Sequence, residues 1–233
     1  MDTLARIPTD RMHLGLMLAL TFATGLVDAL CYLGLDQVFT ANMTGNVLLL
    51  GMALGDGGDL ALAGPLLALA GFALGAALVG RVLKDSHEPW SILSTWLLGL
   101  VAIIVLAVGV VLLVTGGDPD RTVRLSVTTA LGVAMGTQAA AARFIAVKDV
   151  TTIVVTQTIT GLAIDSPLGN GRGRSAGRRG AAVVLIISGA AVGALLLTWH
   201  LGATLLLAGL VIAAVTVIGD LHARAVRAAA TAP

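Results

Sequence analysis

The chain has 233 residues, 57% of them hydrophobic and 12% charged, with a formal net charge of +1 and a mean hydropathy of +0.98. That composition excludes a water-soluble domain of useful size and gives nucleic-acid binding no electrostatic support. The single cysteine, Cys31, excludes an internal disulfide.

Arg6 and Arg11 precede the first long apolar run, at about 13–33. The run is longer than the apolar core of a leader, contains Asp28 and leads into a polar motif. It therefore reads as a first transmembrane helix rather than a cleaved segment. Thr21, Thr24, Gly25, Asp28 and Tyr32 recur at helical spacing and share one face of it. A carboxylate inside a membrane helix costs about 2.5–3.5 kcal/mol even on the lenient insertion scale. Asp28 can be read as a titrating or solute-binding group facing a hydrated cavity. It can equally be read as a structural group that bonds the following turn or caps the next helix.

Residues 40–46, TANMTGN, concentrate hydrogen-bonding groups between two apolar runs. The short apolar segment behind them, at about 43–55, makes only about 20 Å of helix, too short to cross comfortably. The motif thus reads as a place where the chain turns inside the membrane, which leaves backbone groups in need of partners. Thr40, Asn42, Thr44 and Asn46 can supply them, with Thr40 or Asn42 as helix N-cap, and Gly45 allows close backbone approach. The same helix start would present a partially positive end to an anion or a carbonyl dipole.

Further long runs follow at about 60–83, 90–115, 123–146, 181–199 and 201–219, and a second short one at about 153–164. This gives an all-α integral membrane protein with six transmembrane helices and two short re-entrant or broken helices. Of the fourteen Lys and Arg, all but Arg121 and Arg124 are cytoplasmic if six segments cross and the N-terminus lies inside. If the short segments also cross, the split is less one-sided. The stretch 34–59 carries Asp36, Asp56 and Asp59 and no basic residue, as suits an external segment. Both termini are therefore placed in the cytoplasm.

The second short segment has its own polar residues, Thr151, Thr152, Thr156, Gln157 and Thr158. Laying one half on the other at an offset of 112 residues pairs Thr40 with Thr152 and Thr44 with Thr156; with a one-residue slip, Gly25 meets Gly136 and Asp28 meets Ala139. Gly71 and Gly75 in one half match Gly189 and Gly193 in the other, both spaced as small-residue helix-packing pairs. Three crossings per unit require the second copy to be upside down. The expectation is a 3+3 inverted-topology repeat, residues 1–120 and 121–233, forming one membrane domain. The glycine faces are also candidates for homo-oligomer contacts.

The stretch from Gly25 to Gly51, GLVDALCYLGLDQVFTANMTGNVLLLG, resembles the signature of the YoaK-type family of uncharacterised bacterial integral membrane proteins. Its carriers are Asp28, Phe39 and the run Thr44, Gly45, Asn46. The second signature departs: Gly136, Thr137, Gln138 and Ala139 stand where the family has glycine, methionine, glutamine and asparagine. Thr156 and Gln157 stand where it repeats a threonine-glycine pair. The resemblance implies a six-span protein of the bacterial cell membrane and supplies no substrate.

Arg143 is placed to snorkel to headgroups near a helix end. The run at 169–180 is a basic loop suited to topology and anionic lipid, without the lysine and helix of a phosphate loop. His87, His200 and His222 fall near helix ends without metal-ligand spacing, and no nucleophile has a base beside it. The expectation is a transporter, not an enzyme, without metal or cofactor, surrounded by membrane lipid. It would carry a small polar or anionic solute between the two short helices, with Asp28, Thr24, Tyr32, Thr40, Asn42, Thr44, Gly45, Asn46, Gln138, Thr152, Thr156 and Gln157 lining the way. A passive channel of the same build and a non-transporting scaffold or accessory subunit remain open.

Overall fold

The computed structural model describes residues 7–55, 62–86, 88–115, 119–145, 155–166 and 176–230. Asp56, Asp59, His87, Lys148, Thr151, Thr152 and most of the basic run at 169–180 lie outside them. Among the described residues every regular element is a helix: α1 (Thr9–Gly34), α2 (Met43–Gly55), α3 (Ala63–Val82), α4 (Ile92–Thr115), α5 (Arg121–Ile145), α6 (Val155–Asp165), α7 (Ala176–Leu197) and α8 (Leu201–Ala230).

Five of these, α1, α3, α4, α7 and α8, are long and apolar enough to cross a bilayer. The chain is a multi-pass membrane protein. Its outward faces suit lipid, with Leu54, Leu195 and Val114 at 76%, 69% and 82% exposure. Helix α5 has the length, at 25 residues, but not the hydropathy. The reason lies in its buried face, which carries Thr128, Gly132, Gly136, Thr137 and Gln138. A helix enclosed by its neighbours has less need of an apolar girdle.

Three pairs of long helices dominate the packing: α3 with α5, α1 with α7, and α4 with α8. Beside them α1 packs on α8 and α4 on α5, while α2 lies on α3 and α6 on α7. Exchanging α1 with α5, α2 with α6, α3 with α7 and α4 with α8 turns this pattern into itself, except that the α7–α8 contact has no counterpart of its size.

Glycines make the closest approaches. A Cβ on Gly189 would run into the carbonyl oxygen of Phe22, and one on Gly25 into that of Ile186, so α1 and α7 touch backbone to backbone. A Cβ on Gly75 would meet the carbonyl of Val133, and one on Gly136 that of Phe72, which joins α3 to α5 in the same way. Contacts this close are how membrane helices gain dispersion energy where no hydrophobic effect drives them together. Gly71, Gly75, Gly189 and Gly193 are therefore buried within the chain.

Two grooves repeat the exchange. One of about 500 Å³ lies between α1 and α8 and is lined on α1 by Arg11, Met12, Gly15, Leu16 and Ala19. The other, about 340 Å³, lies between α4 and α5 and is lined on α5 by Thr122, Val123, Ser126, Val127 and Ala130, each 111 residues further along the chain.

Candidate functional site

The stretch of α1 from Asp28 to Gly34 rises about 9 Å along the axis. The chain then reverses, with Gln37 in the left-handed region at a φ of 54°. By Thr40 it has descended again to the level of the aspartate. Asp28 Oδ1 accepts the backbone N–H of Thr40 at 2.8 Å and of Ala41 at 2.9 Å, and the Thr40 hydroxyl lies at 3.4 Å. Helix α2 accordingly starts well below the end of α1 rather than beyond it.

The returning strand is closed by Asn46. Its Oδ1 accepts the N–H of Phe39 at 2.9 Å and its Nδ2 donates to the Phe39 carbonyl, so one amide side chain satisfies both backbone groups of that residue. Asn46 and Thr40 are both fully buried. Gly45 passes under Phe39, where a Cβ would come within 2.7 Å of the ring, and that ring stacks on Tyr32 with centroids 4.9 Å apart. Cys31 Sγ lies 3.7 Å from Thr40 Oγ1. Asn42 caps the next N–H, that of Gly45, at 3.4 Å, while its own side chain and that of Thr44 are exposed. The N–H groups of Thr40 and Ala41 precede helix α2, whose own first donors include Met43 N–H, bonded to the Ala41 carbonyl, and Gly45 N–H, bonded to that of Asn42. Asp28 holds the two N–H groups just ahead of the helix, which commits its Oδ1 to the returning chain.

One turn back along the same face of α1 lies Thr24, at its contact with α5. The Thr24 hydroxyl donates to the Leu20 carbonyl at 2.9 Å, and Thr21 does likewise to Met17. With its proton committed, Thr24 Oγ1 must accept, and it does so from the Gln138 amide nitrogen Nε2 at 3.1 Å. This fixes the amide orientation and leaves Gln138 Oε1 buried without a partner among the described residues. Asp28, about 6 Å further along the axis, is half-buried, and the three bonds described above all fall on its Oδ1.

The second motif is placed differently. Thr156 and Gln157 are exposed on α6, Thr158 is buried, and Thr152 falls outside the described residues. Because α2 packs on α3 and α6 on α7, the two short helices are not packed against each other. The structure brings together Thr24, Asp28, Tyr32, Thr40, Gly45, Asn46 and Gln138, and leaves Gln157 apart from them.

Several participants carry no local signal. Asp36 pairs with Arg124 at 3.2 Å and ties the reversal to the start of α5. Asp165 pairs with Arg179 at 2.6 Å between α6 and α7. At the other end of α1, His13 packs against Trp90 and His222, with ring centroids 5.7 and 6.3 Å away. Opposite charges on one predicted side of the membrane hinted at the first pair. Nothing in the sequence joins residues 13, 90 and 222.

The family model described as "Protein of unknown function (DUF1275)" matches residues 16–218. The chain is also similar to the UPF0700 transmembrane protein YoaK of Bacillus subtilis (strain 168), at 30% identity over 151 residues. That alignment covers 64% of this chain and 65% of the relative, a little under two thirds of its length. No solved structure matches. With the break and both halves inside the matched span, the chain belongs to the DUF1275 family of membrane proteins.

Proposed function

We propose that this protein is a membrane transporter for a small polar solute bearing N–H or O–H donors, taken up along the face of α1 that carries Thr24 and Asp28. The observation that carries this reading is Gln138 Oε1, a buried acceptor with no donor among the described residues. Leaving such a group unmet costs about 1–3 kcal/mol, and a donor-bearing solute or water relieves it. Asp28, a half-buried residue, adds a carboxylate inside the span, where ionisable groups mark pathways more often than they serve lipid-facing surface. Both groups accept, and the Thr40 and Ala41 N–H groups beside Asp28 are already bonded to it. Donor-bearing solutes therefore fit better than the anions that the sequence left open. The pathway in this reading follows α1 and α5 rather than the space between the short helices.

Six crossings with both termini cytoplasmic, arranged as an inverted repeat of 1–120 and 121–233, belong to the same reading, with α5 as the sixth crossing. The exchangeable packing pattern and the constant 111-residue offset between the two grooves support the repeat. Gly55→Cys and Ser86→Cys in a Cys31→Ala background test the orientation. An impermeant maleimide should label the first in intact cells and the second only after permeabilisation; the reverse pattern rules out this topology.

The function is tested by uptake into proteoliposomes of a panel of radiolabelled amines, amides, polyols and inorganic anions. Saturable uptake of a donor-bearing solute is expected, lost in Gln138→Leu and altered in its pH dependence in Asp28→Asn. Uptake confined to inorganic anions would overturn the reading. A flux that never saturates would make the protein a channel, and no flux together with a stoichiometric co-purifying partner would make it a scaffold.

A further inference from the structure

We propose that the groove between α1 and α8 holds one anionic phospholipid, its phosphate on Arg11 and an acyl chain along the groove floor. The walls are almost wholly apolar, from Met12, Leu16 and Ala19 on α1 and Val211, Val215 and Ile218 on α8. Arg11, the one charged residue in the lining among the described residues, stands at the end where α1 begins. It is exposed and makes no ion pair with the described residues. Asp10 beside it is exposed too and does not line the groove. From Arg11 to Ala19 the groove runs about 12 Å along the helix axis, close to the depth of one leaflet in a hydrocarbon core about 30 Å thick. A cation at headgroup level above a one-leaflet apolar slot matches the build of a single phospholipid and its negative phosphate.

Gly15 makes the slot. A Cβ there would meet nothing within 4 Å, so the glycine is not needed for helix contact, unlike Gly25 on the same helix. The equivalent groove between α4 and α5 supplies an internal comparison: Thr122 and Ser126 line it where Arg11 and Gly15 line the first, and no cation does. The headgroup site is thus a property of one copy of a duplicated groove.

Native mass spectrometry of the full chain, purified with an equimolar mixture of phosphatidylglycerol and phosphatidylcholine, tests this. The wild type should retain one lipid, with phosphatidylglycerol favoured at least fivefold. Arg11→Gln should bring the ratio back to that of the mixture, and Gly15→Leu should reduce lipid retention of either kind by one molecule. Ser126→Leu in the other groove should leave the phosphatidylglycerol preference intact, and thermal unfolding of each variant verifies folding. Retention in wild type that mirrors the mixture, or variants that retain phosphatidylglycerol as the wild type does, would overturn the proposal. So would a lipid-free dimer that Gly15→Leu dissociates, since a second copy would then cover the groove.

Discussion

Asn46 meets the backbone of Phe39 with both ends of its side-chain amide, accepting from the N–H at 2.9 Å and donating to the carbonyl. Asparagine thus does here what a neighbouring strand does in a sheet. Without it, two backbone groups of the returning chain would be buried unmet.

Asn46→Ala should therefore lower stability substantially. Each unmet buried group costs about 1–3 kcal/mol, and about 2–4 °C of melting temperature goes with each kcal/mol in a chain of this size. A fall of roughly 5–15 °C in detergent is expected on that scale. Thr44→Ala, at an exposed position in the same helix, should stay within about a degree of wild type.

Asp28 should separate structure from transport. Asp28→Asn keeps an oxygen for the Thr40 and Ala41 N–H groups, though a neutral acceptor makes bonds roughly half as strong. Asp28→Leu removes the acceptor. Thermal unfolding should show a loss of about 1–2 kcal/mol for Asn and clearly more for Leu. Equal melting temperatures for the two variants would mean that these bonds do not hold the break.

Cys31 is a native reporter of the same break, since its buried thiol lies against the Thr40 hydroxyl. The folded wild type should resist a small maleimide, and Asn46→Ala should react at least about tenfold faster as the turn opens locally. Mass spectrometry over a labelling time course reads this directly.

Gly75 and Gly80 lie on the same helix and should respond oppositely. A Cβ at Gly75 meets the Val133 carbonyl and, at 3.0 Å, the Thr137 nitrogen, whereas one at Gly80 meets nothing within 4 Å. Gly75→Ala should cost about 1–3 kcal/mol by forcing α3 from α5. Gly80→Ala should gain up to about 1 kcal/mol from helix propensity. Melting temperatures of the two variants, purified in parallel, check both signs.

How far the sequence could be read follows from how local each feature is. The break was legible because TANMTGN interrupts apolar runs, and the capping reading of Asp28 followed from the orphaned backbone such a turn creates. Asn46 was visible as a capping group, but its partner was not, because Phe39 is reached only after a left-handed reversal at Gln37. The helix start read as suited to an anion, and propensity could not say that Asp28 would fold onto the N–H groups just ahead of it. The glycine pairs were legible as close-packing faces, yet spacing alone cannot say whether the partner is α5, α1 or another chain. Helix α5 was read as one of six long apolar runs, whereas its hydropathy is lower than that of the other long helices because its buried face is polar. Gln157 and the short helix that carries it could be aligned with the first motif. Alignment could not show that α6 would lie on α7, away from α2.

The pairing of helices also constrains how the protein is made. The principal partner of α3 begins at Arg121, that of α1 at Ala176 and that of α4 at Leu201. Helices of the first half thus enter the bilayer before the surfaces they fit have been synthesised. Gly25 and the seam around it must wait for nearly the whole chain. Truncation after α4 should leave a product that the cell degrades, and co-expression of the missing half should rescue it. Assembly of this protein is an event that follows insertion rather than accompanying it.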